Sequence, residues 1–343
     1  MTDGIVAKLP AADSASVTLL ASIACSPSNP FSVVLTREIR RLLGGVSHVR
    51  SSLVELSAAV RGRIPFTDAA LRLLVDLDRL VVPLAWHARL SASASGGPAA
   101  ALESSSSPLV AFVNDVVERF RFLEHWSEQL QGSSAAAGGS SGAATGGALG
   151  LPRSVWLGGL GTPAALITAV MQQASRRLGA ALDELVLECD VLSRRSPSDV
   201  AGPPRSGILV HGVQLEGARW DAAVGALAEP GGPVAASSGS AYDQAGGGTT
   251  AGLAVPSGVS LLPVLHVRAI RGEEAATRGY YACPVYTSAS RGVANLAFVM
   301  LLRSLDPPVK WTMRGVCGVI TSTGGCGLLG SASPSSHTSA TTT

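Results

Sequence analysis

Few residues of this chain have both the side-chain chemistry and the spacing that catalysis requires. Ser140 lies in the stretch Gly138–Gly142, which matches GxSxG, a pattern found around the nucleophile of many serine hydrolases. That nucleophile needs a sharp turn between a strand and a helix, whereas this stretch lies in a tract of Gly, Ser and Ala. A chance match is therefore favoured, and a serine hydrolase built on Ser140 is the least favoured of the functions that the sequence allows.

The positions of the lysines show whether the sequence contains a phosphate-binding loop of the kind that nucleotide hydrolysis needs. A phosphate-binding loop needs a glycine-rich backbone followed by Lys and then Ser or Thr. Lys8 and Lys310 are the only lysines of the sequence, and neither follows such a loop. The sequence therefore predicts a chain with no ATPase site, no catalytic residue and no cofactor.

Cysteine and histidine residues show no spacing typical of a metal site. The five cysteines include no CxxC pair, which argues against zinc and against a disulfide framework, and favours a reducing, intracellular compartment. His211 and His266 lie in apolar runs, where a hydrogen-bonded core histidine is more common than a general base. Cys283, directly before Pro284, is predicted to be a small buried side chain.

A charged turn follows the apolar run that contains His211. Glu216, Arg219 and Asp221 cluster there with Trp220. The turn could bind a ligand or form a salt-bridged corner beneath an aromatic side chain. The corner is favoured, because a short charged turn is normally structural. Trp220 is then expected to be buried, so that its replacement by Ala costs about 3 to 5 kcal/mol.

Charge and hydropathy exclude two classes of partner. The chain has 26 basic and 24 acidic residues and a formal net charge of +2, so neither nucleic acid nor an anionic membrane surface is expected to bind. Its mean hydropathy is +0.33, but no apolar run approaches the roughly 18 to 20 residues that a spanning helix needs. A soluble protein is expected.

The first predicted helix follows Asn29-Pro30. Apolar side chains recur there at three- and four-residue steps and predict a helix that continues to about Val60. Gly44 and Gly45 lie within this pattern, and each costs about 1 kcal/mol relative to Ala in a helix. We therefore expect a bend or break at this pair.

Three more helices are predicted before residue 180. One begins after Thr67, whose hydroxyl can cap it, and ends before Pro83, with Trp86 following as a core anchor. The others cover about 109–130 and 163–178. Helices with single apolar faces predict a bundle. The apolar positions of the Thr67 helix are Leu71, Leu74, Leu77 and Leu80.

Beyond residue 181 the pattern changes to short runs typical of strands. No helical pattern separates these runs, so antiparallel pairing is favoured over βαβ crossovers. The predicted fold is α+β, an N-terminal helical bundle followed by a small antiparallel β-barrel. The predicted strands are Leu185–Leu192, Ile208–Leu215, Leu261–Ile270, Tyr280–Tyr286, Ala294–Leu302 and Trp311–Ile320.

Segments of low complexity set the predicted domain limits. They consist largely of Gly, Ser and Ala, which bury too little apolar surface to offset the entropy of the chain. The predicted divisions are a flexible lead-in (1–28), a helical part (29–180) with insertions at 91–107 and 132–148, a β-barrel part (181–322) with a disordered loop at 231–258, and a disordered tail (323–343).

The segment His211–Asp221 resembles the HGxxLEGARWD signature of axonemal dynein heavy chains, close to their C-terminus. Other segments resemble that family in the expected order and together span about Asn29 to Ile320. They are Asn29–Leu43, Val49–Leu53, Pro83 with Trp86, Arg119–Trp126, Val155–Leu160 (the family's FWLSGFF), Cys283–Tyr286 (CPxY) and Trp311–Val316 (WxxRGVA). The matched residues to which the resemblance gives structural roles are His211, Gly212, Leu215, Glu216, Gly217, Ala218, Arg219, Trp220, Asp221, Trp156, Cys283, Pro284, Tyr286, Trp311, Arg314 and Gly315.

The resemblance implies helices followed by a small β-barrel, lying on one face of the AAA+ ring of a motor. It implies a non-catalytic structural and regulatory domain, which contributes to minus-end-directed movement on microtubules and to ciliary or flagellar motion only within a full heavy chain. The implied partners are the AAA+ ring and other dynein-complex subunits, with microtubules reached indirectly. The implied location is the cytoplasm and cytoskeleton, in the axoneme. A free-standing adaptor that reuses the domain, with its disordered segments as interaction sites, stays open as the alternative.

Overall fold

Helices occupy the first half of the chain and strands the second half in the computed structural model of the protein. The structure describes residues 2–9, 29–90, 109–136, 150–192, 197–200, 202–230, 259–273, 279–289 and 291–321. The segments predicted to be disordered at 91–107, 231–258 and 323–343 lie outside these residues. So does most of the predicted insertion at 132–148 and of the lead-in at 1–28.

The helices confirm most of the predicted positions. The helix predicted at about 163–178 has those bounds, and the helix predicted at about 109–130 continues to Ala136. A short helix near the start was not predicted, since residues 1–28 were expected to be flexible. The helices are α1 (Thr2–Lys8), α2 (Pro30–Val60), α3 (Asp68–Asp78), α4 (Leu84–Leu90), α5 (Leu109–Ala136), α6 (Pro163–Leu178) and α7 (Pro308–Met313).

Helix α1 is held by contacts with the helical core. Its Ile5 and the following Leu9 are buried, and Arg50 of α2 donates a hydrogen bond of 2.6 Å to the carbonyl of Leu9. The range 1–28 therefore contains an ordered helix as well as residues outside the described part.

Helix α2 continues through Gly44-Gly45, so the predicted break is wrong, whereas the predicted bend stays a prediction. The reason why the helix does not break is packing. A Cβ atom on Gly45 would lie 2.3 Å from Cδ2 of Leu90, at the end of α4. The glycine therefore lets α4 approach the backbone of α2, and this contact offsets the low helix propensity of glycine.

Helix α3 begins as predicted but buries a different face. The Thr67 hydroxyl accepts a hydrogen bond of 3.2 Å from the Ala70 amide, which confirms the cap. The buried residues of α3 are Ala70, Leu73 and Leu77. Of the four leucines expected to face the core, Leu71, Leu74 and Leu80 are exposed. Trp86 of α4 is buried as predicted.

Among the residues that the structure describes, the strands form one nine-stranded sheet and one hairpin. The nine-stranded sheet has the order β1-β3-β8-β2-β10-β9-β11-β4-β7, and β5 pairs with β6 separately. The strands are β1 (Val155–Trp156), β2 (Leu185–Leu192), β3 (Ile208–His211), β4 (Val213–Glu216), β5 (Arg219–Asp221), β6 (Ala226–Ala228), β7 (Val259–Leu261), β8 (Val264–Arg271), β9 (Tyr280–Tyr286), β10 (Leu296–Arg303) and β11 (Cys317–Ile320).

The α+β class is confirmed, whereas the closed antiparallel barrel is wrong. The large sheet is mixed and strongly curled, and it resembles half of a barrel. Three of its pairs are parallel, namely β1 with β3, β2 with β10, and β9 with β11. Parallel neighbours need long connections between them, and here each such pair is separated in sequence by other elements. The sheet ends at two short strands, β1 and β7.

Four of the six predicted strands are partly wrong. The run Leu261–Ile270 is divided between β7 and β8, and the first two residues of the run Ala294–Leu302 lie in a short 3-10 helix. The other two are wrong for local reasons. Trp311 lies on helix α7, which starts at Pro308, and only Cys317–Ile320 of that run is a strand. Proline is favoured in the first turn of a helix, because its missing N–H would have no partner there. The run Ile208–Leu215 is interrupted at Gly212, whose φ of 86° turns the chain.

The helices and the curled sheet share one apolar core. Most buried apolar residues of α2, α5, α6 and of the strands belong to one large cluster, and Leu209 and Val264 form a small separate cluster with Val200. Helix α6 packs against β8, β10 and β2 and so joins the helical part to the sheet. The predicted boundary between residues 180 and 181 stays a prediction.

Candidate functional site

The signature segment His211–Asp221 runs from the core to the surface. His211 ends β3, and the segment continues through β4 into β5. Gly212 and Gly217 both have positive φ values, 86° and 78°, and so turn the chain before and after β4. Leu215 and Ala218 are buried, at 0% and 1% exposure. The segment therefore has a buried end at His211 and a surface end at Asp221.

The buried end contains a hydrogen-bonded histidine. His211 Nδ1 lies 2.8 Å from the hydroxyl of Ser154, and both side chains are buried. Burial lowers the pKa of His211 to about 4, so the imidazole is neutral at pH 7. A Ser–His pair can act as nucleophile and base in an open site, but this pair lies inside the core. The core role predicted for His211 is confirmed.

Trp156 packs beside this histidine in a space that glycines leave open. Its ring is fully buried and meets Phe122 of α5 edge-on, with ring centroids 6.1 Å apart. A Cβ atom on Gly212 would lie 2.9 Å from Cδ1 of Trp156, and one on Gly158 would lie 2.0 Å from the carbonyl oxygen of Thr321. The Thr321 amide donates a 3.0 Å hydrogen bond to the Gly212 carbonyl. These contacts join α5, β1 and β11.

The surface end brings two signature segments together. Strand β4 pairs with β11, which places Glu216 opposite Cys317. Arg291 lies 2.5 Å from the Glu216 carboxylate and donates a second hydrogen bond, of 3.1 Å, to the Gly315 carbonyl. The hydrogen bond to Glu216 raises the pKa of Arg291. The distant residue Arg291 therefore links the HGxxLEGARWD segment to the WxxRGV segment.

The predicted salt-bridged corner exists in part. Arg219 and Asp221 form an ion pair of 3.2 Å, and hydrogen bonds from the Val224 and Ala223 amides are the main cause that lowers the pKa of Asp221. Glu216 pairs with Arg291 instead, as described above. Trp220 is half-buried against the core, so the prediction of a fully buried aromatic anchor is wrong.

Further ion pairs extend this corner to helix α7. Glu229 lies 2.9 Å from Arg314 and 2.8 Å from Lys310, and the hydrogen bond from Lys310 is the main cause that lowers the pKa of Glu229. Lys310 also lies 2.8 Å from Asp306. We name this group the signature corner. It consists of Glu216, Arg219, Asp221, Glu229, Arg291, Asp306, Lys310 and Arg314.

The signature corner has balanced charge. Its four cations are each within ion-pair distance of a carboxylate, so it does not offer an excess of positive charge to a phosphate or another anion. The corner thus holds strands and helix α7 together. This geometry fits the structural roles that the resemblance implied.

Other signature residues lie on helix α7 and strand β9. Trp311 is fully buried and donates a 2.7 Å hydrogen bond to the Ser304 hydroxyl. Cys283 is also fully buried, and burial raises the pKa of its thiol to about 12, so that it is an inert core residue at neutral pH. Pro284 and Tyr286 lie on β9 and pair with β10 and β11 respectively.

Two buried carboxylates were missed by the sequence reasoning. Glu38 of α2 accepts a 2.7 Å hydrogen bond from the Gly161 amide, and Arg41 lies 3.8 Å from the same oxygen. Glu188 of β2 lies 2.6 Å from Arg268 of β8. Glu38 could have been found, because it occupies an inward position of a predicted helix. Glu188 was harder to predict, because the sequence does not show which strand lies next to β2 and so does not show that Arg268 is its partner.

Among the described residues, no group of three or more His, Cys, Asp or Glu side chains is placed to hold a metal ion. The same part of the chain contains no helix that is both long enough and apolar enough to span a membrane. Ser140 of the GxSxG match lies outside the described residues.

Residues 1–237 and 255–320 match the family described as the C-terminal domain of the dynein heavy chain. The chain belongs to this family. The resemblance to axonemal dyneins is also confirmed. This dynein C-terminal domain is 28% identical over 287 residues to the ciliary dynein beta chain of Heliocidaris crassispina. It is 28% identical over 291 residues to the flagellar outer arm dynein beta chain of Chlamydomonas reinhardtii, and 26% identical over 287 residues to human dynein axonemal heavy chain 9.

The alignments cover most of this dynein C-terminal domain but only a small share of each relative. They cover 84%, 85% and 84% of the present sequence, but only 5% of each of the three relatives. The protein therefore corresponds to a small part of a dynein heavy chain.

Proposed function

We propose that this protein acts as a non-catalytic structural and regulatory domain at the C-terminal end of an axonemal dynein heavy chain. In this role it contributes to minus-end-directed movement on microtubules, and so to ciliary or flagellar motion, as part of a full AAA+ heavy chain. The observation that carries the proposal is the family match over residues 1–237 and 255–320.

The side chains of the candidate site support a role without catalysis. His211 is neutral and buried, and Cys283 is buried with a raised pKa. The charged groups of the signature corner are engaged in ion pairs with one another. Catalytic groups need access to a substrate and a pKa suited to proton or electron-pair transfer, and His211 and Cys283 meet neither condition.

The partners follow from the proposed role. The domain would contact the AAA+ ring of its own heavy chain and other subunits of the dynein complex, and it would affect microtubules only through them. It would be located in the cytoskeleton of the cytoplasm, in the ciliary or flagellar axoneme. The ciliary and flagellar names of the relatives support this location. Neither nucleic acid nor a membrane is a proposed partner.

A deletion within the heavy chain tests the proposed function. Heavy chains with and without this domain would be compared for ATP hydrolysis and for microtubule gliding velocity and force. We expect both proteins to hydrolyse ATP, because the hydrolytic sites lie elsewhere, and the deletion to change velocity or force. Unchanged motor properties would contradict the regulatory role. A transcript whose reading frame does not continue upstream into AAA+ sequence would favour the free-standing adaptor.

A second measurement tests the absence of catalysis. The purified 343-residue protein should not hydrolyse ATP above the level of a mock purification. ATP turnover that co-purifies with the protein through successive columns, and that scales with its concentration, would reject a non-catalytic domain.

A further inference from the structure

A small polar cavity lies among helix α2, helix α5 and the segment that follows strand β1. Its charged walls are formed by Glu38 and Arg41 of α2 and by Arg119 of α5. Gly159 and Gly161 of the segment after β1 also line it, together with three leucine side chains. We name it the Glu38 cavity. It brings charged groups into a helical core whose other buried residues are largely apolar.

Glu38 forms the deep wall of the cavity. Its side chain is only 3% exposed, and its Oε2 atom accepts a 2.7 Å hydrogen bond from the Gly161 amide. The other oxygen, Oε1, is buried as well and has no hydrogen-bond partner among the described residues. A buried carboxylate oxygen without a donor is strongly destabilising. Oε1 therefore requires a donor from outside these residues.

The neighbouring Arg41 is directed at other acceptors. Its Nη1 atom lies 3.8 Å from Oε2 of Glu38, and its Nη2 atom donates a 3.4 Å hydrogen bond to the Leu90 carbonyl at the end of α4. These contacts hold the guanidinium group at the wall of the cavity, but they leave Oε1 of Glu38 unsatisfied.

Arg119 provides an unsatisfied donor on another wall. Its Nε atom lies 2.9 Å from Oδ2 of Asp115, one turn away on α5, in an ion pair. The direction of the N–H nevertheless does not give a hydrogen bond, so Nε is buried without a hydrogen-bond partner in the described part of the chain. The cavity is thus lined by one residue with an unsatisfied acceptor, Glu38, and by one with an unsatisfied donor, Arg119.

The size of the cavity limits its ligand to a single heavy atom. Its volume is about 10 Å³, and a cavity that holds one water molecule needs about 10 to 15 Å³. Phosphate, a nucleotide or an organic molecule is therefore too large. The ligands that remain are a water molecule and a monatomic ion.

The charges of the walls decide between these ligands. A cation would lie close to the guanidinium groups of Arg41 and Arg119, and an anion would lie close to the carboxylate of Glu38. Burial lowers the pKa of Arg41, and the charge of Glu38 opposes this change, but an arginine keeps its charge at neutral pH. A buried ion is stable only where its neighbours have the opposite charge. A neutral molecule that both donates and accepts hydrogen bonds avoids this repulsion.

We infer that the Glu38 cavity is a binding site for one ordered water molecule, which donates to Oε1 of Glu38 and accepts from Nε of Arg119. A bridging water is nearly as favourable in enthalpy as a direct hydrogen bond. The water links α2 to α5 beside Gly161, where Glu38 already holds the segment after β1. The inference goes beyond the proposed function and does not depend on it, because it concerns how the helical part is joined to that segment.

A crystal structure of the 343-residue protein, at a resolution that shows ordered waters, tests the site. We expect one density peak within about 2.6 to 3.2 Å of both Oε1 of Glu38 and Nε of Arg119, as hydrogen bonds require. Glu38→Leu should lose this peak, because it removes the acceptor. The matched control is Glu128→Leu on α5, which makes the same change at a side chain that is 67% exposed, and which should keep the peak.

Each other outcome overturns the inference. The cavity is not a water site if Oε1 of Glu38 binds a guanidinium group directly and no density lies between them. A peak that contacts Glu38 but not Arg119 rejects the bridge. Anomalous density at long wavelength identifies chloride, and several oxygen contacts shorter than a hydrogen bond identify a metal cation. If Glu38→Leu does not fold, the peak in the unmodified protein decides the question alone.

Discussion

The two ends of the signature segment His211–Asp221 are stabilised by different kinds of interaction. At the buried end, the neutral His211 shares a hydrogen bond with Ser154, and Gly212 leaves room for the ring of Trp156. At the surface end, Glu216, Arg219 and Asp221 form ion pairs with partners that are partly exposed.

This difference predicts that the two ends contribute unequally to the free energy of unfolding. Tight apolar packing is sensitive to small changes in volume and is worth several kcal/mol per large side chain. Exposed ion pairs contribute about 0 to 1 kcal/mol, because water screens the charges and the side chains lose freedom. A sequence motif can therefore identify a family along its whole length, while its contribution to stability comes mainly from one end. The following predictions test this, from the largest effect to the smallest.

Replacement of Trp156 by Ala should have the largest effect. The indole is fully buried against Phe122, so its removal leaves a cavity and should lower the free energy of unfolding by about 3 to 5 kcal/mol. Urea unfolding measures this change. Trp156→Phe is the control and should cost less, because a ring is kept. A cost below about 1 kcal/mol for Trp156→Ala would contradict a packed buried end.

The two glycines of the signature segment provide a matched pair. Both have positive φ, but a Cβ atom would meet Trp156 at 2.9 Å in Gly212→Ala and the Arg314 carbonyl at 3.3 Å in Gly217→Ala. Backbone strain costs about 1 to 2 kcal/mol in each variant, and overpacking adds about 1 to 3 kcal/mol at Gly212. Unfolding experiments should rank Gly212→Ala as more destabilising. The opposite ranking would contradict tighter packing at the buried end than at the surface end.

Acid should weaken the buried end. The pKa of His211 is lowered to about 4 by burial, whereas an unfolded histidine titrates near 6.5. The unfolded state therefore binds more protons between these values, and stability is lost as the pH falls from about 6.5 to about 4. Between pH 8 and pH 5 the loss attributable to His211 should be about 2 kcal/mol. Urea unfolding at both pH values should show this loss in the unmodified protein and not in His211→Gln; equal slopes would contradict it.

Replacement of Trp220 by Ala should cost less than replacement of Trp156. The Trp220 ring is half-buried against the core, so the expected cost is about 1 to 2 kcal/mol, below the value for a fully buried large side chain. Thermal or urea unfolding of the two variants side by side measures the difference. Equal costs would show that the surface end is packed as tightly as the buried end.

Replacement of Arg291 by Ala should have the smallest effect. Its ion pair with Glu216 is 44% exposed on the arginine side, so the expected loss is below about 1 kcal/mol. The loss should decrease further when salt is added, because ions screen exposed pairs. A loss of several kcal/mol that is insensitive to salt would indicate that the corner carries more of the fold than its exposure implies.

Local features were predictable from the sequence. The bounds of α6, β2 and β9 agree with the predicted ones, and Thr67 caps α3 as expected. Periodicity, capping side chains and proline act over a few residues, so they can be read without knowledge of the fold. The signature segments likewise identified the family, since their order along the chain is a property of the sequence.

Long-range features required the tertiary structure. Glu216 finds its partner 75 residues away in Arg291, and nothing in the local pattern selects that residue from the other arginines. The mixed strand order, the approach of α4 to Gly45 and the location of Trp311 on a helix are similar cases. Each depends on which elements pack together.

The sequence by itself determined that α3 would be a capped, strongly apolar helix, and that the protein belongs beside axonemal dyneins. It did not determine which apolar face turns inward. The tertiary structure decided that Ala70, Leu73 and Leu77 pack inside while Leu71 and Leu74 stay outside. The physical reason is that apolar periodicity is a property of one helix, whereas burial depends on the position of every neighbour.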